Sequence, residues 1–203
     1  RPEPVLGGLG GILADREDFY KDLHANPELS MQEERTSGKA AERLEGAGFE
    51  VTTGVGKYGV VGLLENGEGP TVMLRADMDT LPVRENTGLP YASDETATDR
   101  EGNEVPVAHA CGHDMHTTCL VGVTALLAQA TDAWSGTLMA VFQPAEETAE
   151  GARAMIDDGL FDRFPKPDVV LGQHVMPTPA GTVSYRLGTT QAASDSLQIR
   201  MFG

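Results

Sequence analysis

Three of the chain's five histidines fall within eight residues, 109–116, beside a cysteine and an aspartate (HACGHDMH). Thiolate, imidazole and carboxylate are the groups with which proteins bind first-row divalent cations such as zinc, manganese or cobalt. A single glycine separates Cys111 from His113, so both side chains can approach neighbouring cation positions without a clash. Neither CxxC nor HExxH occurs in the sequence, and the cluster therefore indicates a metal site without specifying its type.

Two adjacent glutamates, Glu146 and Glu147, come shortly after the apolar run 137–142. In a metallohydrolase one such carboxylate can bind the metal while its neighbour takes a proton from water. A structural role is the alternative, because acidic residues in the first turn of a helix favour its dipole. His174 follows another apolar run and is either a ligand or a buried core histidine. The residues alone leave both alternatives open.

Two aspartates, Asp77 and Asp79, come directly after the apolar run 71–75. Aspartates in such places often close a turn or cap the next helix. Their functional interpretation is support, since a carboxylate that accepts a hydrogen bond from a metal-binding imidazole fixes its tautomer and raises its basicity.

A different chemistry would use Cys111 as a nucleophile, with His113 or His116 as its base. This hypothesis explains neither the glutamate pair nor His174. A third hypothesis is a metal- or ligand-binding module without catalytic activity.

The elements that must position these residues alternate along the chain. Strands are predicted as a pair within 49–64 and at 71–75, 137–142 and 168–172, and helices at 15–25, 33–47, 117–130 and 145–158, the last opened by Pro144. This alternation predicts an α/β domain with a mostly parallel central sheet flanked by helices. Ligands of such sheets bind outside the carboxyl ends of the strands. We therefore expect the polar clusters to face one cleft.

Composition narrows the possible partners and locations. The chain has 203 residues, 40% of them hydrophobic and 23% charged, and no apolar run approaches the roughly 18 residues that span a bilayer. Its net charge of −16 repels phosphate backbones and anionic lipid headgroups, which argues against nucleic-acid or membrane partners. Two cysteines and no signal peptide predict a cytoplasmic location.

Five segments, taken together, resemble the M20 family of metallopeptidases and amidohydrolases in the family's order. They are LHANPELSMQE at 23–33, LRADMDTLPV at 74–83, HACGHDMHTT at 109–118, FQPAEETAEGARAMI at 142–156 and GQHVMP at 172–177. The chain is most similar to the aminoacylase-like branch, which includes hippurate hydrolase, auxin-conjugate hydrolases and N-acetyldiaminopimelate deacetylase. Position 77 favours this branch, because it is aspartate where many M20 peptidases have a histidine ligand.

The resemblance implies a zinc-peptidase-like catalytic domain that binds two divalent cations, Mn²⁺ or Zn²⁺, with Co²⁺ or Ni²⁺ as further choices. It implies that Cys111 bridges the two ions. His113 and His174 would complete one site, and Glu147 would contribute to the other.

The implied reaction is hydrolysis of the amide bond of a small N-acyl amino acid, such as an N-acetyl or N-benzoyl derivative. Glu146 would be the general base, and Asp79 would be the supporting aspartate of the catalytic site. The acyl group and the amino acid are not implied.

The family also has a lid domain and a further histidine ligand near its C-terminus, and neither is found in this sequence. We therefore expect 1–190 to be the N-terminal part of the catalytic domain and 191–203 to lead into the lid. The first residue, Arg1, likewise suggests a fragment or a processed chain. The full-length enzyme would be a homodimer or homotetramer through the lid, and this chain alone would be weakly active or inactive.

Overall fold

The computed structural model describes residues 3–189, 197 and 199–202. Its helices are α1 (Glu3–Leu6), α2 (Leu9–Ala25), α3 (Glu34–Gly46), α4 (His113–Gln129), α5 (Gly151–Asp157) and α6 (Leu160–Arg163). Its strands are β1 (Glu50–Val55), β2 (Gly59–Asn66), β3 (Thr71–Asp77), β4 (Thr96–Thr98), β5 (Glu104–Pro106), β6 (Gly136–Gln143) and β7 (Val169–Gly172). Among the described residues, no helix has the length and apolar character to cross a membrane. The predicted passage into a lid, 191–203, lies mostly outside the described residues.

Five strands form the central sheet in the order β1-β2-β6-β3-β7. β3 pairs in parallel with both β6 and β7, whereas β2 pairs antiparallel with β1 and β6. β4 and β5 form a separate antiparallel hairpin. The predicted α/β fold is confirmed, and its parallel half, β6-β3-β7, is the half whose strand ends carry the polar clusters.

β6 shows why helices cover both faces of the sheet. Its side chains alternate between the faces, as the period of two along a strand requires. Leu138, Ala140 and Phe142 pack with residues of α2, α3 and α4. Met139 and Val141 pack on the opposite face with residues of α5 and α6. Because both faces are buried, β6 reads as a nearly continuous apolar run, as central strands of such sheets do.

The predicted helix 145–158 is wrong in its first half. α5 begins only at Gly151, and the preceding segment forms turns in which Ala145 has φ +47° and Ala149 has φ +56°. A helix requires negative φ, so the glutamate pair between these alanines does not lie in a helical first turn. The helix-dipole interpretation of the pair is therefore excluded.

α4 also differs from its prediction, since it begins at His113 rather than at 117. The first turn of α4 therefore contains His113 and His116. This turn lies at the edge of the sheet where β3, β6 and β7 end. A hydrogen bond of 2.9 Å from Thr117 Oγ1 to the carbonyl oxygen of Asp77 joins it to the end of β3. The expected convergence of the polar clusters at one edge is present.

The core packing gives a test of the fold. Leu44 on α3 is fully buried against the sheet, and Leu44→Ala should lower the free energy of unfolding by about 2–5 kcal/mol through lost burial and a residual cavity. Leu13 on α2 is 55% exposed, and Leu13→Ala should change it by less than about 0.5 kcal/mol. Urea unfolding followed by circular dichroism measures both, and equal losses in the two variants would contradict this packing.

Candidate metal centre

Gly112 turns the chain between Cys111 and His113. It has φ +82°, and a Cβ atom there would lie 2.3 Å from Val175 Cγ2, so both backbone conformation and space call for glycine. The turn leaves Cys111 Sγ 3.4 Å from His174 Nε2, across a sequence separation of 63 residues. The segment after β7 is thus joined to the start of α4.

His113 lies at the centre of the cluster and is fully buried. Its Nδ1 is 3.2 Å from Asp79 Oδ1. A carboxylate only accepts hydrogen bonds, so Nδ1 carries a proton, and in the neutral ring Nε2 carries the lone pair. Nε2 has no hydrogen-bond partner in the described residues. A buried imidazole with one nitrogen fixed by a carboxylate and the other free is the arrangement found in metal-binding histidines.

Both glutamates of the pair point toward this free nitrogen. Glu146 Oε2 is 3.9 Å and Glu147 Oε1 is 3.8 Å from His113 Nε2. Glu147 Oε1 is buried and also lacks a hydrogen-bond partner among the described residues. Two buried polar atoms without partners therefore face each other, which is costly unless a further group binds both.

Buried carboxyl groups fix the backbone of the glutamate segment. The Glu147 N–H donates to Asp79 Oδ2 at 3.0 Å, and the Ala145 N–H donates to Glu33 Oε1 at 2.7 Å. Ser30 Oγ donates to Asp79 Oδ2 as well, at 2.6 Å. Asp79 thus supports both an imidazole and a glutamate, and its oxygen atoms do not reach the opening of the cleft.

His116 uses both of its ring nitrogens within the protein. The Val175 N–H donates to Nε2 at 2.9 Å, so Nδ1 carries the proton and donates to Asp77 Oδ1 at 2.6 Å. The ring lies 4.5 Å from that of His174, centroid to centroid. His174 is exposed, and its Nδ1 lies 2.6 Å from the carbonyl oxygen of Val175, which leaves Nε2 directed at Cys111.

The charges at the site are mostly negative. Burial would raise the pKa of Asp77. The hydrogen bond from His116 and the interactions with His113 and with the Arg75 guanidinium lower this pKa to about 2. Burial likewise opposes ionisation of Asp79, yet its hydrogen bonds, first that with His113, keep its pKa below the usual value. Burial and the neighbouring carboxylates, Glu147 foremost, raise the pKa of the Cys111 thiol to about 12. A divalent cation would offset this excess of negative charge.

Among the described residues, three groups of side chains bring possible ligand atoms within 4.8 Å of one another: Cys111 with His113 and His174, His113 with Glu146 and Glu147, and Asp77 with His113 and His116. The last group does not fit a cation, because both nitrogens of His116 are already bonded. The first two groups share His113. Together with the free His113 Nε2 and Glu147 Oε1 atoms, they fit a divalent metal centre in which thiolate, imidazole and carboxylate are the ligands.

The structure therefore brings together five of the residues singled out from the sequence, Cys111, His113, Glu146, Glu147 and His174, and places Asp79 behind them. Sequence reasoning gave no supporting role to Ser30 or Glu33. Both lie within the LHANPELSMQE segment, but nothing local marks them as neighbours of a site so far along the chain. His116 was singled out from the sequence through its place in the 109–116 cluster, and the structure puts it one helical turn after His113.

Comparison with known proteins identifies the family. The family described as peptidase family M20/M25/M40 matches residues 73–199. The chain belongs to this family. The family predicted from the five sequence segments is thus confirmed, and the relatives are consistent with the aminoacylase-like branch.

Among relatives of this M20 chain, hippurate hydrolase from Campylobacter jejuni is 42% identical over 194 residues, which cover 95% of this chain and 48% of the relative. N-acetyl-L-cysteine deacetylase from Bacillus subtilis is 38% identical over 90% of this chain and 42% of its own length. The crystal structure of Bacillus subtilis YXEP protein, a dinuclear metal-binding peptidase of the M20 family, superposes with a TM-score of 0.71 at 36% identity, covering 81% of this chain and 43% of that one. The chain spans about half the length of the curated relatives it matches.

The cluster predicts which cysteine affects metal binding. Cys111→Ala in the full-length protein should weaken binding of Zn²⁺ or Mn²⁺ by more than about 100-fold, since loss of a residue that only supports a ligand already costs about 10- to 100-fold. Cys119, the other free cysteine, is partly buried and outside the candidate groups, so Cys119→Ala should bind metal normally. Elemental analysis and calorimetric titration measure this, and full metal content in Cys111→Ala would contradict the assignment.

Proposed function

We propose that the protein containing this chain is a metal-dependent amidohydrolase that cleaves the amide bond of small N-acyl amino acids. The observation that carries the proposal is a pair of buried atoms, His113 Nε2 and Glu147 Oε1, which lack a hydrogen-bond partner in the described part of the chain. They lie 3.8 Å apart beside Cys111 and Glu146. Hippurate hydrolase and N-acetyl-L-cysteine deacetylase, both by name hydrolases of N-acylated amino acids, are relatives over almost the whole chain.

In this proposal Cys111, His113, Glu147 and His174 would hold two divalent cations, Mn²⁺ or Zn²⁺, or else Co²⁺ or Ni²⁺. The bound cations would polarise the acyl carbonyl and lower the pKa of a water molecule from about 15.7 toward 7. His113 is the residue that the two candidate ligand groups share, which supports assigning both groups to one metal centre. Asp79 keeps the proton of His113 on Nδ1, so that Nε2 stays available.

Glu146 is the proposed general base. Its side chain is 39% exposed, compared with 20% for Glu147, so its carboxylate has access both to the cluster and to incoming substrate. It would take a proton from the attacking water and return it to the nitrogen that leaves with the amino acid. Glu147, whose backbone is fixed by Asp79, would remain a ligand throughout.

A cysteine hydrolase is the competing enzyme class. The raised pKa of Cys111 leaves its thiol protonated at neutral pH when no cation is bound, and a protonated thiol is a poor nucleophile. The imidazole within hydrogen-bond distance of its sulfur is that of His174, whereas this hypothesis requires His113 or His116 as the base. A metal-binding module without hydrolytic activity is the third class.

Further features of the full-length protein stay predictions. Residues 1–190 would form the N-terminal part of the catalytic domain, a lid domain would follow, and assembly into a dimer or tetramer would occur through that lid. The cytoplasmic location stays a prediction from cysteine usage.

The base assignment can be tested in the full-length protein. Glu146→Gln should lower kcat for release of the amino acid from N-acetyl and N-benzoyl amino acids by about 10²- to 10⁴-fold, the usual contribution of a general base, while metal content stays near that of the wild type. Glu150→Gln, in the same segment, should leave kcat unchanged, because Glu150 is exposed and paired with Arg100.

Three results would sort the classes. Strong residual turnover in Glu146→Gln would remove Glu146 as the base. Activity that survives complete chelation would favour the cysteine hydrolase. Metal binding without hydrolysis of any N-acyl amino acid would favour the binding module.

A further inference from the structure

Glu33 is a buried glutamate that forms no ion pair with any of the described residues. Its exposed fraction is 0%, and burial raises its pKa to about 7, with the nearby Asp79 carboxylate contributing in the same direction. Oε1 accepts the Ala145 N–H at 2.7 Å, while Oε2 is buried with no hydrogen-bond partner among the described residues. Burying a carboxyl group in this way costs free energy, which indicates that Glu33 has a specific role in the fold or the site.

That role is not the capping of its own helix. Glu33 is the N-cap residue of α3, but its side chain donates or accepts no capping hydrogen bond there. In the first turn of α3, two N–H groups that have no partner within the helix donate instead to the Glu28 carboxylate. They are those of Arg35, at 2.8 Å, and Thr36, at 2.7 Å. The Glu33 side chain points away from α3, toward a residue 112 positions later in the sequence.

The residue that Glu33 contacts is the one that sets the path of the glutamate pair. Ala145 is fully buried and has φ +47°, a conformation that few non-glycine residues adopt. Its carbonyl oxygen accepts the N–H groups of Glu150 and Gly151 at 3.2 and 3.1 Å, which closes the turn over 145–151. Such a conformation persists only where surrounding groups enforce it.

The turn that contains Glu33 supports the glutamate pair at two points. Ser30 reaches Asp79, which accepts the Glu147 N–H, and Glu33 accepts the Ala145 N–H. The backbone on both sides of Glu146 is therefore attached to buried carboxyl groups. Of these two attachments, only the one from Glu33 acts directly on the residue with positive φ.

We propose that Glu33 is a positioning residue, which through its hydrogen bond to Ala145 holds the 145–147 backbone so that Glu146 and Glu147 both face His113. This inference rests on the proposed function for its catalytic consequence, but the contact itself is independent of that function. An uncharged carboxamide at position 33 can also accept the Ala145 N–H, whereas an apolar side chain of similar length cannot.

The test compares Glu33→Gln with Glu33→Met in the full-length protein. In Glu33→Met, amide hydrogen exchange of the peptide covering 144–151 should become faster, and kcat should fall roughly 10- to 100-fold with little change in KM, because misplacement by about 1 Å is enough for such a loss. Glu33→Gln should restore both slow exchange and most of kcat. A purely structural role would lower stability without this separation of kcat from KM.

Glu28→Met is the matched control. It removes the hydrogen bonds that the Glu28 carboxylate accepts from the first turn of α3, and it leaves the contact with Ala145 intact. It should lower thermal stability, yet leave exchange of 144–151 and kcat as in the wild type. If Glu33→Met does not fold, Glu33→Asp, which is one methylene too short to reach Ala145, should show the same faster exchange.

Unchanged exchange and kcat in a folded Glu33→Met or Glu33→Asp variant would overturn the inference. Equal losses in Glu33→Gln and Glu33→Met would also overturn it, because the hydrogen-bond acceptor would then be irrelevant. A wild-type protein that fails to hydrolyse N-acyl amino acids would defeat the proposed function alone, since the exchange measurement would still test the contact.

Discussion

The candidate centre depends on one constraint, the burial of two aspartates at and just beyond the carboxyl end of the parallel strand β3. Asp77 ends β3 and accepts from His116, while Asp79, two residues later, accepts from His113 and from the backbone of Glu147. Burying a carboxylate is costly unless its oxygens accept hydrogen bonds, and all four oxygens of these two aspartates do, so each aspartate fixes the groups around it. The orientation of both imidazoles and the path of the glutamate segment follow from these hydrogen bonds.

This arrangement brings several negative charges close together, and their repulsion affects the stability of the folded state. Asp77, Asp79, Glu146 and Glu147 surround one buried imidazole, and the Arg75 guanidinium compensates only at Asp77, which it contacts at 2.8 Å. Like charges at such short range destabilise the folded state unless a cation is present. A ligand that binds only the folded state stabilises it in proportion to the logarithm of its concentration. Binding of a cation at this edge would therefore be coupled to its folding.

The sequence was sufficient for the features that arise from periodicity. Apolar runs such as 71–75 and 137–142 became strands, and the polar residues after them met at one edge because parallel strands end together. The segment before α5 could not be predicted, since its local composition favours a helix and its observed turn depends on Glu33, far away in the sequence. The early start of α4 depended on similar information, namely the positive φ of Gly112 and its contact with Val175.

The non-helical path of 144–150 is also what allows adjacent glutamates to differ. In a helix, neighbouring side chains point about 100° apart, so two successive carboxylates could not both face one imidazole. The turn at Ala145 instead brings Glu146 Oε2 and Glu147 Oε1 to nearly equal distances from His113 Nε2, 3.9 and 3.8 Å. They differ in what fixes them, since the Glu147 backbone donates to Asp79, whereas Glu146 is the more exposed of the two. A carboxylate fixed through its backbone and a more exposed one are thus obtained from a single strained turn, and this difference is the one that the proposed ligand and the proposed base require.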